Sequence, residues 1–178
     1  MSLRPARNYR ALQRPYTRKE YIKSIPYSKI TKFDHGNVHG KFEYEVRMVA
    51  EASFQVRSNA LEAARMTIMS QIRKAIPSEE AYFFKVVPYP HHILRKHAMA
   101  GVHKAERLQK GMRLAFGKPD ARAAQIRRGD VIMFMRVNGQ HLEIAKYCMK
   151  LAKLKIPYMT RIDIVRLNGT EGEDEEGA

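Results

Sequence analysis

The chain has 178 residues, of which 44% are hydrophobic, and it carries a net charge of +15 from 33 basic and 18 acidic side chains. This hydrophobic content is enough to build a core and excludes a wholly disordered chain, and the length suits one domain with an extension. Because like charges in a folded domain repel one another, the balance predicts a polyanionic partner, with nucleic acid foremost.

Residues 1–32 form a basic arm, which contains nine Lys or Arg and one acid, Glu20, with four tyrosines and three prolines interleaved. This composition predicts an extended segment that becomes ordered on a partner, although a solvated tail has the same composition. The mixture of arginine and tyrosine favours RNA, since arginine pairs with phosphates and tyrosine stacks on splayed bases. The candidate RNA-binding residues of the arm are Arg4, Arg7, Arg10, Arg14, Arg18, Lys19, Lys23 and Lys29.

Residues 33–168 are predicted to fold as one globular domain. Between residues 42 and 56, apolar side chains occupy the even positions, which predicts one long strand, or two with a bend. Asn59, with Glu62 three residues later, is a candidate cap for a helix that ends before Pro77. The face that this helix should bury comprises Leu61, Ala64, Ile68, Ile72 and Ala75.

Further strands are predicted at residues 81–87, 131–137 and 160–167, with a turn at Asn138-Gly139. A second helix is indicated by the spacing of Leu142, Ala145, Cys148, Met149 and Ala152. The order of elements predicts an α+β fold in which two helices pack on a mostly antiparallel sheet.

Residues 169–178 are predicted to be a disordered acidic tail, since they hold five of the 18 acids. Without these five acids the charge imbalance of the chain is larger still. We interpret the tail as a segment that keeps the protein soluble before assembly, or as a segment that binds assembly factors.

A long basic loop is predicted at about residues 96–119. Seven Lys or Arg and one acid, Glu106, lie between His91 and Lys118. A loop of this length in a compact domain is either functional or mobile. The candidate RNA-binding residues in and around it are His91, His92, Arg95, Lys96, Lys118, Arg122, Arg127 and Arg128.

The Gly117-Lys118 pair in this loop does not fit a nucleotide-binding P-loop. Five residues instead of four separate Gly111 from Gly117, and Pro119 stands where that loop needs a Ser or Thr hydroxyl.

No catalytic or metal centre is predicted elsewhere. The histidines lack partners at zinc-binding spacing, so we expect no metal and no cofactor. Cys148 lies on a helix face with small apolar residues and is interpreted as a core thiol. With one cysteine, no long apolar run and no secretory signal, the chain is expected to be cytoplasmic.

The stretch "YPHHILRKHAMAGVHKAERLQKGMRLAFGKP" resembles the universal large-subunit ribosomal protein family known as L-ten-e in archaea and eukaryotes and as L-sixteen in bacteria. The start "RPARNYR" is also similar to this family, and the resemblance spans about residues 3–167. The short length of the chain resembles that of the archaeal members of this family more than that of the eukaryotic ones. In the family a glycine usually follows one residue after Gly-Lys-Pro, whereas this chain has Ala121. That departure concerns the local turn and not the family.

The resemblance implies an α/β-hammerhead-like fold and a structural role in translation, with large-subunit rRNA bound near the aminoacyl- and peptidyl-tRNA sites. The implied partners are this rRNA, tRNA at both sites, neighbouring ribosomal proteins and assembly factors, with no membrane and no homo-oligomer. It also implies that the basic loop points toward the peptidyl transferase centre and supports tRNA positioning and subunit assembly. The residues of this tRNA-site loop are His103, Lys104, Arg107, Gln109, Lys110, Gly111 and Arg113.

Two other interpretations explain the charge as well. An RNA-modifying enzyme or nuclease would need a cofactor loop or an acid–base set, and the sequence shows neither. A free RNA chaperone or a DNA-binding protein is the other alternative. The better helix, 59–76, carries only Arg65, Arg73 and Lys74, which disfavours a major-groove recognition helix and favours recognition of RNA shape.

Overall fold

The computed structural model describes residues 5–97, 112–113 and 115–167. Its strands are β1 (Asp34–Gly36), β2 (Tyr44–Ala50), β3 (Phe54–Arg57), β4 (Tyr82–Val86), β5 (His92–Lys96), β6 (Lys118–Ile126), β7 (Val131–Val137) and β8 (Thr160–Arg166), and its helices are α1 (Ser58–Ala75) and α2 (Leu142–Lys153). No helix within these residues is long and apolar enough to cross a membrane.

The strands form two sheets. The main sheet has five strands in the order β1-β4-β7-β2-β8, and the second sheet has three in the order β3-β6-β5. Every pairing between described strands is antiparallel. The α+β prediction is confirmed. The strands form two sheets, however, where the sequence predicted one.

The alternation at residues 42–56 belongs to two strands with a bend, because β2 lies in the main sheet and β3 in the second sheet. The even positions Val46, Met48, Phe54 and Val56 are fully buried, as the alternation predicted. Glu45 is buried as well, since it lies between the guanidinium groups of two neighbouring arginines.

Helix α1 packs against α2 and buries Leu61, Ala64, Ile68 and Ile72 in the main core. The predicted cap was wrong, because the helix begins at Ser58 directly after β3 and Asn59 lies inside it. Ala75 was predicted to be buried but is exposed at the last helical position, where Ile76 takes the buried place.

Helix α2 and the strands β4, β7 and β8 agree with their predicted positions to within a residue or so at each end. Cys148 lies in the core, where burial raises the pKa of its thiol to about 11. A thiol in this environment stays protonated and unreactive, in keeping with its interpretation as a packing residue.

The two ends of the predicted basic loop, Lys96 on one side and Lys118 and Pro119 on the other, lie in strands. Residues 92–96 form β5 and residues 118–126 form β6, which pair with each other in the second sheet. The central part of the predicted loop, residues 98–111 and 114, lies outside the described residues.

Candidate nucleic-acid interface

The described part of the basic arm, residues 5–32, lies against the second sheet. The backbone N–H of Gln55 donates to the carbonyl of Arg10 at 2.9 Å, and that of Ile93 donates to the carbonyl of Tyr16 at 3.0 Å. Apolar anchors accompany these bonds, since Ile22 and Ile30 are buried. We expected the arm to become ordered on a partner, but this part of it is already packed on its own domain.

Side-chain amides fix the path of the arm. The Nε2 group of Gln55 donates to the carbonyls of Tyr9 and Ala11 at 3.0 and 2.8 Å, and that of Gln125 donates to the carbonyl of Gln13 at 2.7 Å. Each bond satisfies a backbone carbonyl that an extended segment would otherwise leave to water. The arm therefore follows one defined course across β3 and β6.

A small apolar cluster lies beneath the arm. Tyr9 packs with Leu94 of β5 and Ala123 of β6, and Ala121 is partly buried against them. Ala121 lies within β6 and pairs with Leu94, next to a shift in the register of the two strands, so it belongs to a strand and not to a turn. Its methyl group adds to this cluster.

His92 holds the arm from inside the second sheet. Its side chain is buried, and its Nδ1 atom accepts a hydrogen bond from the backbone N–H of Tyr16 at 3.0 Å. Burial, together with the nearby charge of Arg95, lowers the pKa of His92, so the ring is neutral and can accept this bond. The position corrects our expectation that His92 lies on the RNA-binding surface, since the ring faces the protein.

Arg95 lies in a corner formed by two aromatic rings. Its guanidinium carbon is 4.0 Å from the ring centroid of Phe116 and 5.0 Å from that of Tyr16. The two rings meet edge to face, with centroids 5.7 Å apart. Arg95 was predicted as a phosphate contact, but Phe116 was missed. The signal for Phe116 was an aromatic residue just before Gly117 in a basic segment.

Gly117 adopts a backbone φ of +81°, which L residues rarely adopt, and a Cβ atom there would lie 3.1 Å from the carbonyl carbon of Lys96. It places Phe116 beside β5 and lets the chain enter β6 at Lys118. A strand follows this Gly-Lys pair, whereas a P-loop leads into a helix whose N-terminus binds the phosphates. The geometry agrees with the prediction that the pair is no nucleotide-binding loop.

Most of the predicted RNA-binding side chains that the structure describes are exposed. Exposed ones are Arg7, Arg14, Arg18, Lys19, Lys23, Lys29, His91, Arg113, Lys118, Arg127 and Arg128. Arg10, Arg95, Lys96 and Arg122 are half-buried. The Nε group of Arg122 donates to the carbonyl of Pro26 at 2.7 Å, so this arginine also ties the arm to β6.

Some predicted residues cannot be placed. Arg4, His103, Lys104, Arg107, Gln109, Lys110 and Gly111 lie outside the described residues. The tRNA-site loop is therefore represented by Arg113 alone, whose side chain is exposed.

The arm and the second sheet together form one strongly cationic surface, which we call the arm–sheet surface. Residues 5–31, 91–97, 113 and 115–128 contain fourteen Lys or Arg and two acids, Glu20 and Asp120. In the second sheet Lys96 pairs directly across from Lys118. Like charges at opposed strand positions repel each other, and a bound polyanion would relieve that repulsion.

A second group of basic side chains lies between β1 and α1. Arg65 donates to both carboxylate oxygens of Glu62, at 2.8 and 2.5 Å, and its Nη1 atom lies 3.3 Å from Nε2 of His35. Asp34 and Glu79 line the same groove. Its mixed charge makes it a weaker match for a polyanion than the arm–sheet surface.

Among the described residues, no group of three or more His, Cys, Asp or Glu side chains is arranged to hold a metal ion. The geometry thus defines a class of protein, an α+β domain with a strongly cationic surface on a small antiparallel sheet.

Comparison with known proteins shows to which family within this class the chain is similar. Residues 12–163 match the model of the family described as "Ribosomal protein L16p/L10e". The chain is 46% identical over 170 residues to "Large ribosomal subunit protein uL16" of Sulfolobus acidocaldarius, an alignment that covers 94% of this chain and 97% of the relative. It is 46% identical over 169 residues to the protein of that name from Saccharolobus solfataricus, with 94% and 95% covered.

The chain belongs to the ribosomal protein L16p/L10e family, as the resemblance indicated. This is a family of structural, non-enzymatic ribosomal proteins, and the relatives named here are archaeal, as expected. The alternative of an RNA-modifying enzyme or nuclease is therefore set aside.

Proposed function

We propose that this protein is a structural constituent of the large ribosomal subunit and that it binds large-subunit rRNA through the arm–sheet surface. The observation that carries the proposal is the ratio of fourteen basic residues to two acids on the arm–sheet surface, which comprises residues 5–31, 91–97, 113 and 115–128. Contacts between Lys or Arg and phosphates release counterions and hold RNA helices in register. Family membership supports the same role.

The finer parts of this role follow the family resemblance. The loop between β5 and β6 would point toward the aminoacyl- and peptidyl-tRNA sites, position tRNA there and support late assembly of the subunit, in contact with neighbouring ribosomal proteins and assembly factors. The α/β-hammerhead description of the fold and the division into arm (1–32), domain (33–168) and acidic tail (169–178) belong to the same proposal.

The first test measures how salt affects the affinity of the purified protein for deproteinised large-subunit rRNA. We expect a variant carrying Arg14→Ala, Arg18→Ala and Lys19→Ala to bind more weakly and to reduce the slope of log K against log [salt] by about 2–3, since each lost phosphate contact removes about 0.7–0.9. All three side chains are exposed, so the fold should persist.

A matched control removes the same amount of positive charge from a different element, helix α2 and the residues after it. Lys150→Ala, Lys153→Ala and Lys155→Ala also remove three exposed cations, but they lie on and after α2. We expect this control to keep the wild-type slope. Equal slopes for the two triple variants would contradict the assignment of the arm–sheet surface.

Association with the subunit itself is tested by fractionating native lysate on sucrose gradients. A structural constituent should co-sediment with large subunits in stoichiometric amounts and survive a high-salt wash. Release at moderate salt would instead indicate a transiently bound factor, such as a free RNA chaperone.

A further inference from the structure

We propose that the outer face of Phe116 is a stacking site for one splayed-out base of the bound RNA, backed by Arg95 and Tyr16. This inference rests on the proposed rRNA-binding function and specifies a subsite within it.

Among the described residues, Phe116 has two close neighbours and remains largely exposed. The guanidinium of Arg95 lies over the ring at 4.0 Å from its centroid, and Tyr16 meets the ring at an interplanar angle of 85°. Even with these two neighbours, 64% of Phe116 is exposed. A large aromatic side chain that is mostly exposed and outside either core cluster is suited to receive a second flat group.

The ring is also held in place before any ligand arrives. Tyr16 is fixed to β5 by two hydrogen bonds, one to Nδ1 of His92 and one from the N–H of Ile93. Gly117 lies so close to β5 that a Cβ atom on it would be 3.1 Å from the carbonyl carbon of Lys96, and the next residue, Lys118, pairs with Lys96. A platform that is already ordered loses little conformational entropy when a ligand stacks on it.

The surroundings select a nucleotide over an apolar protein side chain. Arg113 and Lys118 flank Phe116 in sequence and are exposed, and Arg95 places a positive charge behind the ring. A base that stacks here brings its own phosphates into this cationic environment. Aromatic side chains beside a basic groove are the arrangement by which proteins bind unpaired bases without reading their sequence.

The test uses the full-length protein bound to deproteinised large-subunit rRNA. Ultraviolet irradiation joins stacked ring and base without a linker, and mass spectrometry of the digested complex then locates the nucleotide adduct. We expect an adduct on Phe116. Its absence, with adducts found on other residues, would overturn the inference.

Affinity measurements on two variants give a second readout. Phe116→Leu should weaken binding about tenfold, within the range known for loss of one stacked base, and should leave the salt slope unchanged because no charge is lost. Phe116→Tyr keeps the ring and should bind like the wild type. The control Tyr147→Leu removes a ring on α2 that is 55% exposed, and it should have no effect.

The outcomes separate this inference from the proposed function. If the wild type does not bind rRNA with a salt-dependent affinity, the proposed function itself fails. If the wild type binds and Phe116→Leu binds equally well, only the stacking site fails. A weaker Phe116→Leu complex with a changed salt slope would also overturn the inference, since the loss would then come from displaced cations.

Discussion

His92 and Tyr16 form a contact whose strength depends on protonation. The Nδ1 atom of His92 can accept the Tyr16 N–H only while the ring nitrogen is unprotonated. Burial is the largest cause of the lowered pKa of His92, and the charge of Arg95 is the second. If Nδ1 of His92 were protonated, its N–H would face the backbone N–H of Tyr16, and the hydrogen bond between arm and sheet would be lost.

We expect the free energy of unfolding to decrease as the pH falls below about 6.5, the usual pKa of histidine in an unfolded chain. Because the folded-state pKa is lower, the unfolded chain binds more protons in this window, and the stability is fully present only above it. The measurement is denaturant unfolding at several pH values, compared between the wild type and His92→Asn. The Asn side chain can accept the same bond without titrating.

The variant should lose part of this pH dependence and not all of it. His35 also has a lowered pKa, because of burial first and the charge of Arg65 second, and it remains in the variant. His39→Asn, at an exposed position outside the core, is the control for the exchange of histidine for asparagine. An unchanged pH dependence in His92→Asn would contradict the role given to His92.

At the scale of elements, part of the proposed interface lies on the β5–β6 pair. Glycines with an unusual backbone conformation stand just before and just after β6. Gly117 and Gly129 both have a positive φ, of +81° and +92°. They differ in their surroundings, since a Cβ at Gly117 would lie 3.1 Å from the Lys96 carbonyl carbon, whereas one at Gly129 would meet nothing within 4 Å. This pair of positions separates backbone strain from steric crowding.

We expect Gly129→Ala to lower the free energy of unfolding by about 1 kcal/mol, the order of cost for a residue other than glycine with a positive φ. Gly117→Ala should lower it by more, about 2 kcal/mol or above, because the methyl group also crowds β5. Denaturant unfolding of the two variants measures the difference. Equal losses would show that the close approach at Gly117 is relieved at no cost.

The elements with a regular apolar spacing or a continuous apolar run were predictable from the sequence, and those stabilised by distant contacts were not. Helix α2 shows the spacing of one buried face, and β4 and β7 are apolar runs whose side chains are mostly buried. Strands β5 and β6 were not recognised, since their apolar positions are few and are divided between two clusters. Leu94 and Ala123 face the small cluster around Tyr9, whereas Ala124 and Ile126 face the main core. A period over such short, charge-rich segments is too weak to identify a strand.

The sequence predicted which residues of the site are cationic, but it did not predict how the fold arranges them. Charge alone identified the cationic residues of the arm and of the second sheet. The docking of the arm depends on bonds such as that from Gln125 to the carbonyl of Gln13, which joins positions 112 residues apart, and no local pattern reports them. The same reason explains why His92 was mistaken for a surface residue and Phe116 was overlooked.

At the scale of the whole molecule, basic residues on different surfaces should have different consequences in the cell. We expect Arg107→Ala or Arg113→Ala to impair growth and large-subunit maturation more than Lys153→Ala does, because the first two belong to the proposed tRNA-site loop. Sucrose-gradient profiles of cells that carry each variant measure this. Lys153 is an exposed residue at the end of α2 and serves as the control for loss of one charge. Equal defects would count against the loop assignment.

The path of the arm also has a consequence for synthesis. Residues 5–32 leave the translating ribosome well before the strand that receives Gln13, which ends at Ile126. At about 5–20 residues per second, the 112 residues between Gln13 and Gln125 take roughly 6–22 s to add. Throughout that interval this basic segment of the nascent chain has no β6 to lie on, so it cannot complete its docking until β6 has been synthesised.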